Sequence, residues 1–454
     1  MTYHVIDLFS GGGGLTEGFA QEGYDFIAHI EKDPWACETL RTRACYHWLK
    51  QQTKLDVYNN YLTKTQSVRK NAILKNDLIY SQYPELYELV MTRIINKTFG
   101  NPRQNQESIS SRDAINYISN ITRQNQTSRI SVVIGGPPCQ AYSLIGRGRM
   151  KEKASEDDRN FLFKYYLEIV KEFQPALFVF ENVPGLISAQ KGQLIQAIRE
   201  EFDNIGYGFA SGPNDSDRQN IIDCRDYGVY QTRKRLIFFG YRKADYPHGF
   251  KYPDFHMYFE PQEEPATTYN ALSDLPPLKV QEGADFWFGE YGPNKYISNY
   301  QAMLREGSPG VLNHFARPHR YEDLQIYGMQ IEASQRGSKI SYSQLPESLQ
   351  FHKNGKKKVF EDRFRVHGKD EVPHTIVAHI TKDGHYNIHP DPNQLRSLTV
   401  REAARIQSFP DNYFFEGPRT AQFVQVGNAV PPSLARIIAK AVRNELEIQE
   451  RMKS

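Results

Sequence analysis

The stretch Ser131-Val-Val-Ile-Gly-Gly-Pro-Pro-Cys-Gln-Ala-Tyr-Ser143 decides how the rest of the chain is read. Val132 to Ile134 is a short apolar run of the kind that forms a buried parallel strand. Gly135 and Gly136 permit unusual dihedrals, and Pro137 and Pro138 cannot donate to a ladder, so the strand ends there. Cys139 is therefore expected on a stiff loop just past the carboxyl end of a strand, where open α/β sheets bind ligands. A thiol in that position can act as a nucleophile once amides or cations lower its pKa. The alternative is a small buried hydrophobe, the common state of an unpaired cysteine.

Upstream, Val5 to Phe9 predicts a strand, broken by Ser10 and four glycines, Gly11 to Gly14, before a helix opens at Leu15. Strand, glycine turn and helix start together let a ligand approach the backbone closely. Thr16 and Glu17 stand where G-x-G-x-x-G would need its third glycine, which argues against an ordinary nicotinamide dehydrogenase. A second strand, Phe26 to Ile30, ends at Glu31, placed to accept from ribose hydroxyls. Downstream, Phe161 to Phe173 has helical spacing, and Ala176 to Phe180 forms the next strand, ending at Glu181. A carboxylate there is costly unless paired or used, and burial raises its pKa so that it can donate a proton. Successive parallel strands tend to be neighbours, so Cys139 and Glu181 are expected to converge. Arg233 and Arg235 enter a strand at Leu236 to Phe239 and share one face. One suits a base carbonyl, the other a phosphate or a protein carboxylate. Asp113 is a candidate strand-end carboxylate for an adenine amino group.

At 454 residues two or three domains are expected. The net charge of +3 is too mild to establish a nucleic-acid partner by itself. The four cysteines form no C-x-x-C pair, so no metal site and no disulfide framework are expected, and a reducing, cytoplasmic location is. No segment has the length of a membrane span or an export signal. Residues 50–129, rich in Gln, Asn, Ser and Thr, read as an insertion between the second and third strands, helical between Leu86 and Ile95. A basic, glycine-containing segment from Gly146 to Asn160 suits a loop closing over phosphates, or a solvated surface. Residues 241–394 have weak periodicity. Their basic run at Lys353 to Lys358, with Arg363, Arg365 and Lys369 among Phe360, Phe364 and His367, suits a duplex backbone and groove, or an exposed loop. Order returns with a capping box at Thr399 and Glu402 and an amphipathic helix from Leu434 to Leu446.

These stretches, in this order, resemble the DNA (cytosine-5)-methyltransferase family, in its bacterial form. The matching blocks are Asp7-Leu-Phe-Ser-Gly-Gly-Gly-Gly14, Gly136-Pro-Pro-Cys-Gln140, Glu181-Asn-Val183, Gln231-x-Arg-x-Arg235, Arg401-Glu-Ala-Ala404 and Gly427-Asn-Ala-Val430. His379 to Pro390 is also similar to bacterial members. Tyr230 departs from the family, which usually has proline there. The resemblance implies a Rossmann-like, doubly wound, mostly parallel sheet of the class I methyltransferase type. Its catalytic domain would comprise residues 1–240 and 395–454, with a smaller, irregular target-recognition domain at 241–394. It implies S-adenosylmethionine as methyl donor and double-stranded DNA as substrate, with the cytosine flipped out of the duplex. Catalytic roles would fall to Cys139, Glu181, Arg233 and Arg235. Phe9, Gly11, Gly13, Glu31, Pro138, Leu162 and Asn428 would line the donor pocket, with Asp113 as a further candidate. A monomer serving a restriction-modification or phage-defence system is expected. The alternatives are a tRNA cytosine-5 methyltransferase, which the long middle region argues against, and a DNA-binding protein that has lost catalysis.

Overall fold

The computed structural model describes residues 2–127, 129–138, 162–210, 220–261, 263–292, 297–351 and 361–453. Cys139, the basic segment 146–160 and the run 353–358 lie outside them. The central sheet contains β1 (His4–Leu8), β2 (Asp25–Glu31), β3 (Ile94–Asn96), β6 (Val132–Gly135), β7 (Leu177–Asn182), β8 (Tyr207–Phe209), β9 (Ile221–Asp223) and β10 (Lys234–Arg242). The order is β3-β2-β1-β6-β7-β10-β8, with β9 also on β10. β3, β2, β1, β6 and β7 are parallel, and β10 runs antiparallel to β7, β8 and β9. The direction of winding reverses between β1 and β6, so the carboxyl ends of these two strands open a crevice.

Alternate side chains of each strand feed opposite cores. Val5, Val132, Ile134, Val179, Ile237 and Phe239 face α1 (Gly14–Gln21) and the terminal helix, where Leu434, Ile438 and Val442 complete one cluster. Ile6, Leu8, Val133, Phe178, Phe180 and Phe238 face the other side, covered by Ile118, Tyr166 and Phe202. Each fully buried side chain of this kind contributes about 1.5–3 kcal/mol of transfer free energy. Chain ends and centre are therefore one structural unit, because the terminal helix (Pro432–Lys453) lies on α1. The approach is close: a Cβ on Gly18 would lie 2.3 Å from the Ala435 backbone of that helix.

Two expectations need correction. Residues 50–129 are not wholly an insertion. Helices α2 (Pro34–Gln51), α3 (Leu55–Leu62), α4 (Val68–Lys75) and α5 (Pro84–Arg93) build a side cluster, but Ile94 to Asn96 then pairs with His29 to Glu31 as the edge strand. The helix α6 (Ser111–Gln124) covers the sheet with Ala114, Ile118 and Ile121. Short polar-flanked strands carry little periodicity, which is why β3, and the two-residue ladder of β4 (Thr98–Phe99) with β5 (Ser108–Ile109), escaped the sequence reading. Likewise residue 240 falls inside β10, and Tyr246, Phe250 and Phe255 pack into the first core.

Within 241–394, β11 (Gly283–Gly289) and β12 (Val311–Phe315) form a two-stranded antiparallel sheet, joined through the helix Asn299–Arg305. A separate small cluster gathers Ile326, Tyr327, Ile331, Tyr342, Leu345, Leu349, Phe364 and Ile388. Tyr230 is fully buried and stacks on Tyr300, ring centroids 3.7 Å apart, so an aromatic contact fastens the loop before Gln231.

Candidate active site

Four parallel strands, β1, β2, β6 and β7, bring their carboxyl ends to the crevice. At the end of β1, Phe9 adopts φ +59° and Gly11 φ +55°, and a Cβ on Gly11 would meet nothing within 4 Å, so the turn faces open space. Glu31, at the end of β2, accepts from the Gly11 N–H through Oε2 and the Asp33 N–H through Oε1, both at 2.8 Å. Burial pushes its carboxyl up, and these two amides partly offset that. A carboxylate has about four acceptor positions, so two remain for hydroxyls of a ligand. The Phe9 ring lies 5.4 Å from Phe99, which stacks on Tyr165 at 5.0 Å. Leu162, half-buried at the start of α7 (Leu162–Phe173), packs against the same core. Gly13 lies in the turn with φ +80°, and the Tyr413 hydroxyl donates to the neighbouring Gly12 carbonyl.

At the end of β6, Gly136 lies against Glu181: a Cβ on it would stand 2.5 Å from Glu181 Oε2. Asn182 Nδ2 donates to the Pro137 carbonyl at 3.0 Å, tying this loop to the end of β7. Pro138 is exposed and is the last described residue before Cys139. β6 and β7 are neighbours, as expected, so Gly136 at the end of β6 stands beside Glu181 at the end of β7.

Glu181 opposes Ile237 in the β7–β10 ladder, which makes Arg235 its diagonal neighbour on the same face. Arg235 Nε lies 3.0 Å from Glu181 Oε1, and both side chains are largely shielded from solvent. Burial raises the Glu181 pKa, while Arg235 and then Arg233 act to lower it, and burial prevails. Arg233 is completely buried, and its guanidinium donates to the carbonyls of Ile376 (2.6 Å), Gly427 (3.0 Å) and Ala429 (2.8 Å). Burial, followed by repulsion from Arg235, lowers its pKa to about 9. Asn428, exposed at the end of the helix Arg419–Asn428, is flanked by the two glycine and alanine carbonyls that Arg233 holds.

Asp113 does not belong here. It is exposed in the first turn of α6, where its N–H donates to Ser110 Oγ at 3.1 Å. A serine three residues before a helical Asp is capping chemistry, which explains its position without a ligand. Sequence reading missed Asn182 as an anchor and Phe99 and Tyr165 as a stacked wall. The Asn182 signal was its place after Glu181; the two rings carry none.

The family model for C-5 cytosine-specific DNA methylase matches residues 3–66 and 97–444. The chain belongs to this family. Membership makes it an enzyme, a DNA (cytosine-5-)-methyltransferase. Residues 67–96, which the match omits, hold α4, α5 and the edge strand. The chain is 50% identical to the type II methyltransferase M.Bpa9945I of Bacillus paralicheniformis, over 97% of this chain and 98% of that one. It is 30% identical to the type II methyltransferase M.DdeI of Desulfomicrobium norvegicum, over 97% of this chain and 88% of that one. A crystal structure described as a DNA modification methyltransferase encoded within an E. coli prophage superposes with a TM-score of 0.57 at 20% identity. That match covers 98% of this chain and all of the other, and shows the shared fold. Among the described residues no helix is long and apolar enough to cross a membrane.

Proposed function

We propose that this enzyme transfers a methyl group from S-adenosylmethionine to C5 of a cytosine within a specific duplex sequence, through an adduct to Cys139. The observation that supports the reading is the contact of Gly136, three residues before Cys139 in sequence, with Glu181 of the Glu181–Arg235 pair. The other three cysteines, Cys37, Cys45 and Cys224, are buried, and burial pushes each thiol up to about 12, where it is a poor nucleophile.

The open turn at Gly11, the acceptor positions of Glu31 and the apolar side chains of Phe9 and Leu162 fit a donor with a ribose and an adenine, and Gly13, Pro138 and Asn428 are assigned to the same pocket. S-adenosylmethionine held there supplies an electrophilic methyl group. The rest is work for the chain's own side chains. The flipped cytosine costs roughly a few kcal/mol to extrude. The Cys139 thiolate forms a bond to C6, and the C5–C6 π pair moves onto C5. Glu181, whose raised pKa keeps a proton available, donates to N3 as electron density builds there. Arg235 holds O2, and Arg233 holds the strand entry that presents Arg235. C5 takes the methyl group as the donor's sulfonium becomes the neutral thioether S-adenosylhomocysteine. A water molecule then takes the C5 proton, the S–C6 bond breaks to restore the double bond and the thiolate, and N3 returns its proton to Glu181.

The middle segment, with its own small cluster at residues 326–388, is proposed to read the target through loops in the major groove. A restriction-modification or defence setting follows from the type II names of the relatives, and a monomer and a cytoplasmic location belong to the same proposal. The test is incubation with tritiated S-adenosylmethionine, unmethylated duplex DNAs of varied sequence, and tRNA as competitor. Label recovered as 5-methylcytosine in duplex DNA is expected. Label confined to tRNA would move the enzyme to the tRNA-directed branch, and no label on either would refute the catalytic reading.

A further inference from the structure

The middle segment brings together three metal-ligating side chains that the reaction does not use. His319 precedes the helix α8 (Tyr321–Gln335), Asp323 stands in its first turn, and His385 follows the short turn Ala378–Thr381. One ligand atom of each lies within 4.8 Å of the others, and Asp323 and His385 are buried. A hydroxyl holds one nitrogen of each imidazole. Ser397 Oγ lies 3.0 Å from His319 Nε2, and Tyr327 Oη lies 2.8 Å from His385 Nδ1. His319 Nδ1 lies 3.3 Å from the same Tyr327 hydroxyl, and His385 Nε2 lies near two carboxylates. Asp323 Oδ1 is 3.7 Å and Asp383 Oδ2 3.8 Å from it. A metal-bound imidazole keeps its other ring nitrogen hydrogen-bonded, a role the Ser397 and Tyr327 hydroxyls can fill here.

We propose that His319, Asp323 and His385 bind a structural dication of the Zn2+ type, with Asp383 as the neighbouring carboxylate. Two imidazoles and a carboxylate suit zinc and its first-row neighbours better than magnesium or calcium. Asp323 and Asp383 supply two carboxylates beside the imidazoles, and Arg363 pairs with Asp383 at 2.9 Å. Arg317, another cation near His319, donates to the carbonyls of Ile380 and Lys382. The expectation of no metal rested on cysteine spacing alone, and these ligands are scattered over 67 positions of sequence, from 319 to 385.

The metal would fasten a functional strap. Residues 373–376 bind the entry to β10: the Thr232 N–H donates to Pro373 O at 2.8 Å, and the Ile376 N–H to Gln231 Oε1 at 2.9 Å. Ile376 O in turn receives Arg233. The strap that positions the arginine pair would thus be anchored at its far end by the metal.

The full-length enzyme, purified without metal-affinity resin, is stripped with chelator and titrated with Zn2+ while metal content and thermal unfolding are followed; Co2+ then replaces Zn2+ for its ligand-field absorption. About one Zn2+ per chain, a raised melting temperature and visible Co2+ bands are expected. Asp323→Asn, nearly isosteric, should weaken binding at least tenfold, on the order of a lost ligand support. Tyr327→Phe, which removes a supporting hydroxyl but no ligand, should weaken Zn2+ binding, and affinity equal to wild type would overturn the hydroxyl's supporting role. Failure of the stripped wild-type chain to take up Zn2+, or uptake without any shift in melting, would overturn the proposal. Unchanged affinity in Asp323→Asn would overturn it equally. Should Asp323→Asn not fold, the wild-type titration still decides.

Discussion

A single methyl group at residue 136 should separate catalysis from folding. In Gly136→Ala the new Cβ would lie 2.5 Å from Glu181 Oε2 and 3.3 Å from Glu181 O, against an ordinary contact of about 3.5 Å. The carboxylate has to withdraw by about 1 Å. It cannot do so without disturbing its 3.0 Å pairing with Arg235, because Asn182 holds the loop from the other side. The displaced atom is the end of a side chain, so folding should lose less than about 1 kcal/mol. A displacement of about 1 Å at the reacting centre costs on the order of 100-fold in rate. Single-turnover methyl transfer to unmethylated duplex DNA, measured beside a urea melt, tests both halves. A rate within threefold of wild type would refute the geometry, and so would a loss of stability large enough to explain the lost activity.

Three further outcomes follow from the same structure. Cys139→Ser should abolish turnover while DNA binding in a gel-shift or anisotropy assay stays near wild type; comparable activity would identify another nucleophile. Arg233→Ala leaves three buried carbonyls without their donor, and should cost about 3–5 kcal/mol in a urea melt. A change under 1 kcal/mol would show that water replaces the guanidinium freely. Acid should also unfold the protein early. Burial first of all lowers His314 and His389 to about 4, His374 to about 3, and His367 well below its usual value. The unfolded chain protonates these rings near pH 6.5 and the folded chain does not, so stability is lost as pH falls from about 6.5 towards 4. Each ring contributes up to about 1.4 kcal/mol per pH unit. A urea midpoint that is flat between pH 7 and 5 would contradict this.

What the sequence made legible was whatever repeats locally. The apolar runs at Val5, Phe26, Val132 and Ala176 announced the parallel strands, and Thr399 with Glu402 formed both halves of its capping box. Glycine and proline marked where each strand stops. What escaped depends on distant partners. Arg233 and Arg235 look equivalent two positions apart, yet one is held by carbonyls from residues 376, 427 and 429 and the other by Glu181. The edge strand Ile94–Asn96 is too short to show a period, and Asp113 resembled a site carboxylate only because its helix start was not recognised.

The central claim concerns a covalent bond, and trapping it is the most direct test. Duplex DNA carrying 5-fluorocytosine in place of cytosine blocks the final loss from C5, so the enzyme should remain attached in the presence of S-adenosylmethionine. Mass spectrometry of the digested complex should find one adduct per chain, on the peptide containing Cys139. An adduct on Cys37, Cys45 or Cys224, or none on any target sequence the enzyme methylates, would contradict the account.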